Sequence, residues 1–148
     1  MLWLPGAMVL LALLTGAAAR AETRQAQFLV HVTVPALATV EALDQPGHLR
    51  LSTEDIARGY KDVSARYRVA SNTGRGWLLR LSPRLGVTRR IEVRGLSGAL
   101  VLQDDSVEIY RPRIREPRDL ALEYRFVLAS DARPGSYELP VHLSATPL

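Results

Sequence analysis

Apolar and polar residues alternate with a period of two along most of this chain. The clearest run is Leu120 to Leu128, in which Leu120, Leu122, Tyr124, Phe126 and Leu128 fall on one side and Glu123 and Arg125 on the other. Successive strand side chains point to opposite faces, so this pattern predicts a half-buried strand. The same parity recurs in Phe28, Val30, Val32 and Val34; in Val63, Ala65, Tyr67 and Val69; in Trp77, Leu79 and Leu81; and in Tyr137, Leu139, Val141 and Leu143. Shorter candidates lie at Leu49 to Leu51, Thr88 to Val93, Ala99 to Leu102 and Val107 to Tyr110. Turn residues fall between the runs, at Gln45-Pro46-Gly47, Ser71-Asn72-Thr73-Gly74, Gly95-Leu96-Ser97-Gly98, Gln103-Asp104-Asp105-Ser106 and Arg133-Pro134-Gly135-Ser136. About eight or nine short strands at this spacing predict an all-β sandwich or barrel. One helical turn is expected where Ser52-Thr53-Glu54-Asp55 forms a capping-box pattern and Gly59 supplies the stop. Ala36 to Leu43 reads equally as strand or short helix.

The first 21 residues break the pattern. MLWLPGAMVLLALLTGAAARA holds an apolar run from Ala7 to Leu14, then small residues ending in Ala19-Arg20-Ala21. An apolar core of that length followed by A-x-A predicts a secretory signal cleaved after Ala21. The run is shorter than the ~20 residues needed to span a bilayer. The expected organisation is residues 1–21 as signal peptide and 22–148 as one domain, with no transmembrane segment in the mature chain. The chain of 148 residues has eighteen Arg against one Lys (Lys61) and a single Asn, Asn72. That bias points to a GC-rich bacterial coding sequence. Export from a bacterium gives periplasm, cell surface or fimbrium as the expected location and disfavours nucleic acid as a partner.

Composition narrows the chemistry. With no cysteine, the chain has no disulfide, thiol nucleophile or thiolate metal site. His31, His48 and His142 belong to no short-spaced ligand motif, so no metal and no cofactor are expected. Glu54-Asp55 and Asp104-Asp105 lie outside any calcium-loop pattern and read as a helix start and a turn. Serines lack a nucleophile context such as G-x-S-x-G or S-x-x-K. The reading is a non-enzyme with no catalytic residues. Trp77 shares parity with Leu79 and Leu81 and reads as a core anchor.

Charge adds one candidate site. Arg75, Arg80, Arg84, Arg89, Arg90 and Arg94 stand against Glu92 alone, a local excess of five positive charges. Guanidinium groups on one sheet face bind phosphate or carboxylate bidentately. This defines an alternative function, a monomeric periplasmic or secreted domain that binds anionic glycan or lipopolysaccharide.

Three stretches carry a family resemblance. Gln27-Phe28-Leu29-Val30-His31-Val32-Thr33-Val34-Pro35, Tyr67-Arg68-Val69-Ala70-Ser71-Asn72-Thr73 and Pro134-Gly135-Ser136-Tyr137-Glu138-Leu139-Pro140-Val141-His142-Leu143 resemble the opening strand, the mid-chain strand with its Asn turn, and the last strand of bacterial fimbrial subunits of the colonisation-factor type. The resemblance implies an immunoglobulin-like sandwich assembled by strand complementation, with Phe28, Val30, Val32 and Val34 as the complementing strand. The implied partners are other copies of the chain or other fimbrial subunits, and a chaperone. An alternating strand after a polar leader suits that role. The same pattern also describes a first strand paired within its own subunit, and both readings stand at this point.

Overall fold

A computed structural model describes Leu29 to Leu148. The chain divides into two units, Met1–Thr33 and Val34–Leu148. Of the first, Leu29–Thr33 is described; it contains no strand, and Leu29, Val30 and Val32 are exposed. The predicted signal peptide and Phe28 lie outside the described residues.

The second unit is all-β with one short helix. Its elements are β1 (Ala38–Asp44), β2 (His48–Leu51), α1 (Thr53–Arg58), β3 (Tyr60–Ser71), β4 (Trp77–Pro83), β5 (Thr88–Arg94), β6 (Leu100–Leu102), β7 (Val107–Arg111), β8 (Arg118–Leu128), β9 (Gly135–Glu138) and β10 (Val141–Pro147). They form three antiparallel sheets, ordered β1-β3-β8-β5-β6, β10-β4-β7 and β2-β9.

Sheet register follows the alternation. In β3, Ala65, Tyr67 and Val69 are buried, and they lie opposite Leu122, Leu120 and Arg118 of β8. Leu79 and Leu81 of β4, Ile91 and Val93 of β5, Leu102 of β6 and Phe126 of β8 are fully buried in one core. Tyr67 and Tyr124 meet inside it with hydroxyls 3.0 Å apart. Burial raises both phenols above their ordinary pKa, so both stay protonated and satisfy each other. Tyr124 also stacks on Phe126, with ring centroids 5.7 Å apart.

Helix α1 forms where the capping pattern predicted it. The Ser52 hydroxyl accepts from the Asp55 N–H at 3.2 Å, and the Asp55 carboxylate accepts from the Ser52 N–H at 3.0 Å. Gly59 ends the helix with φ 77°, a left-handed conformation that glycine adopts without Cβ strain. Asp55 is 1% exposed, yet it is charged and paired with Lys61 Nζ at 2.9 Å and with Arg58. The chain's one lysine therefore reaches this buried carboxylate.

Two expectations are corrected. Of the Phe28–Val34 strand candidate, the described part, residues 29–34, carries no strand, and the first strand among the described residues begins at Ala38, inside the segment that read equally as strand or helix. Alternation reports that a segment suits a half-buried position, not that its own domain offers one. Among the described residues the strands number ten rather than about eight or nine, because the Tyr137 to Leu143 run is broken at Leu139-Pro140 into β9, paired with β2, and β10, paired with β4. A proline has no N–H for a ladder, which suits Pro140 to the switch between sheets.

Candidate functional site

Two outer strands give the domain an incomplete margin. β1 ends the five-stranded sheet and β10 ends the three-stranded one, and the two lie next to each other. Among the described residues, neither has a ladder on its outer side. Directly opposed residues of an antiparallel pair share a face. Leu143 and Ala145 of β10 lie opposite Leu81 and Leu79, which are fully buried, yet both are only half-buried themselves. On β1, Val40 lies opposite buried Val69 and is half-buried, and Ala42 lies opposite buried Tyr67 and is exposed. The core's apolar rows thus continue to both margins and lose their cover there. A free strand edge with an apolar row beside it is a template for another strand.

The segment leading into β1 is held at one point. Asn72, at the end of β3, accepts the Leu37 N–H on Oδ1 at 2.7 Å and donates from Nδ2 to the Pro35 carbonyl at 2.8 Å. Its own N–H donates to the Leu37 carbonyl at 3.1 Å. Asn72 therefore satisfies three backbone groups and fixes the path of residues 35–37. Upstream, Val34 is 72% exposed, as are Val32 at 75% and Val30 at 80%. Of the four residues assigned to strand complementation, these three are described, and all three present apolar side chains to solvent. His31 and His142 are both exposed, and among the described residues no cluster of three or more His, Cys, Asp or Glu forms a metal site.

The six arginines proposed as an anion site are dispersed. Arg80 is on β4 of the three-stranded sheet, whereas Arg89, Arg90 and Arg94 are on β5 of the five-stranded sheet. Arg75 precedes β4 and Arg84 follows it. Three are already matched by carboxylates: Arg80 to Glu108 at 2.8 Å, Arg84 to Glu138 at 3.7 Å and Arg90 to Glu92 at 2.9 Å. The six therefore do not share one sheet, because adjacent segments of sequence enter different sheets. For Arg80 and Arg84 the counter-charges come from outside the run, on β7 and β9.

The outer face of the five-stranded sheet is instead a lattice of alternating charge. Asp62 on β3 faces Arg125 on β8 and accepts two hydrogen bonds from it, at 2.8 and 2.9 Å. That contact holds the Asp62 carboxyl below its ordinary pKa. Arg125 also lies over the Tyr60 ring, 4.3 Å from its centroid. Arg68 on β3 faces Asp119 on β8 at 3.0 Å, and Arg94 on β5 faces Glu123 in register. Pairs this exposed are screened by solvent and contribute little to stability, so their effect is to set register and surface charge rather than to hold the fold.

A concavity of about 450 Å³ opens at one end of the domain, between the β3/β8 and β4/β7 strand ends. Trp77, 3% exposed, lines it as well as anchoring the core, as its parity predicted. No family model, no curated protein and no solved structure matches the chain. Among the described residues, no helix is long and apolar enough to cross a membrane.

Proposed function

We propose that the protein is an exported bacterial structural module, a pilin-like subunit or an accessory of surface-fibre assembly, built as an immunoglobulin-like sandwich and joined to its neighbours by strand complementation. The observation that carries this reading is the match between an acceptor and a donor in one chain. The acceptor is the margin of β1 and β10, where Val40, Leu143 and Ala145 are left half-covered beside strand edges that have no ladder partner among the described residues. The donor is the Phe28 to Val34 segment, whose alternating Val30, Val32 and Val34 are exposed and unpaired in any strand. A strand laid along the outer edge of β10 gains main-chain hydrogen bonds and buries alternate side chains on that apolar row. Burying one valine contributes ~1.5 kcal/mol or more, so three or four in register supply several kcal/mol to a contact.

The partners on this reading are further copies of the chain or other fimbrial subunits, with a chaperone that covers the margin before assembly. The location is periplasm, then cell surface or fimbrium. The test is Val30→Arg with Val32→Arg, which puts two charges where the donor row is to be buried. Export and monomer folding are expected to persist while oligomers disappear from size-exclusion profiles of periplasmic or surface fractions. Unchanged oligomers in the double variant contradict the reading.

A further inference from the structure

We propose that the cleft lined by Trp77 is a binding site for a small apolar carboxylate. It is separate from the β1/β10 margin and does not depend on the assembly reading.

The cleft has apolar walls and a cationic mouth. Val69, Trp77, Leu96, Ile114 and Leu120 supply the walls, and Arg111 and Arg118 stand with them. Two observations point to an oxygen-bearing ligand. The first is Trp77 Nε1, a buried donor with no hydrogen-bond acceptor among the described residues. An unsatisfied buried donor costs ~1–3 kcal/mol, and buried indole N–H groups ordinarily find a partner. The ring lines the cleft, so an occupant that shifts the indole enough to uncover Nε1 would supply the missing acceptor. The second is the charge balance of the mouth. Asp119, the one carboxylate lining the cleft, is occupied by Arg68 at 3.0 Å. Arg111 donates to the Ser97 hydroxyl at 3.3 Å, a neutral partner, and among the described residues Arg118 has no ion pair. Two guanidinium groups therefore keep unneutralised charge beside an apolar cavity. Guanidinium binds carboxylate in a planar, bidentate geometry, and the walls exclude a ligand that is charged throughout.

The backbone keeps this end of the domain open and in shape. Gly95 takes φ 94° at the end of β5, and a Cβ there would lie 2.2 Å from the Ala121 carbonyl oxygen. The turn at Gly95 to Ser97 thereby packs directly on β8 and forms one side of the mouth.

The experiment uses the full-length chain carrying Trp3→Phe, which leaves Trp77 as the single indole. Octanoate is titrated while the one indole N–H resonance is followed by NMR, with octanol as the uncharged comparison. The expected result is a saturable downfield shift with octanoate. Binding is expected to weaken at least about tenfold with octanol and with Arg111→Leu plus Arg118→Leu, since each removes a charged hydrogen bond. Arg118→Gln alone, at an exposed position, keeps the test readable if the double variant does not fold. An absent or unsaturable shift overturns the proposal, and so does octanol binding as tightly as octanoate or affinity indifferent to the arginine substitutions.

Discussion

Asp55 concentrates more of the local design than any other residue of the domain. It is the N3 residue of a capping box, a buried anion and the partner of Lys61 and Arg58. The Ser52 N–H, then Lys61, pull its pKa well below the carboxylate range against the opposing effect of burial. A folded-state pKa below the unfolded value means that the stabilisation is fully present above about pH 4 and is lost as the pH falls through the folded value. Asp55→Asn is expected to cost about 2 kcal/mol at pH 7, combining a weakened cap with a lost charge partner. The variant should also lose less stability than the parent between pH 5 and pH 2. Urea denaturation at a series of pH values measures both, and parallel curves for the two proteins would show that Asp55 is not the acid-sensitive group. The capping box was legible because its four positions are adjacent in sequence. That Lys61 closes over the same carboxylate was not, since it depends on how β3 leaves the helix.

At the scale of elements, alternation identified the long strands but not their partners. The inward rows of β3, β4 and β8 could be read directly, because each buries one face and exposes the other along its length. β1 escaped because Ala38, Val40 and Ala42 form a weak row and Leu43 interrupts the parity. The Val30 to Val34 row, a stronger signal, belongs to no strand in its own chain. For that row, alternation records only the half-buried environment a segment is fitted for, not whether its own domain supplies it. Asn72 is the joint between these two segments. Asn72→Ala removes two side-chain hydrogen bonds to residues 35–37 while leaving the β1–β3 ladder intact. The expected consequence is faster amide exchange at Leu37 with a global loss of no more than about 1 kcal/mol, because the bonds are exposed. Hydrogen-exchange mass spectrometry or NMR reads this, and protection at Leu37 equal to that of the parent would assign the joint to other contacts.

The whole molecule shows why local charge was a poor guide to a site. The run Arg75 to Arg94 spans a sheet change between β4 and β5, and Glu108 and Glu138 arrive from distant parts of the chain to meet Arg80 and Arg84. The two guanidinium groups beside a cavity that have no carboxylate partner among the described residues, on Arg111 and Arg118, lie outside that run. The apolar margin of β1 and β10 was equally hidden, since a half-buried Leu143 or Ala145 looks in sequence like any inward strand residue. With no native cysteine, the chain allows a direct test of what covers that margin. The measurement is oxidative cross-linking of a chain carrying Val32→Cys and Ala145→Cys, compared with each single variant, on non-reducing gels. The account predicts a ladder of covalent dimers, trimers and longer oligomers in the double variant alone, each step a Val32 position of one copy joined to an Ala145 position of the next. Monomer with an internal disulfide, or no cross-link at all, would contradict it.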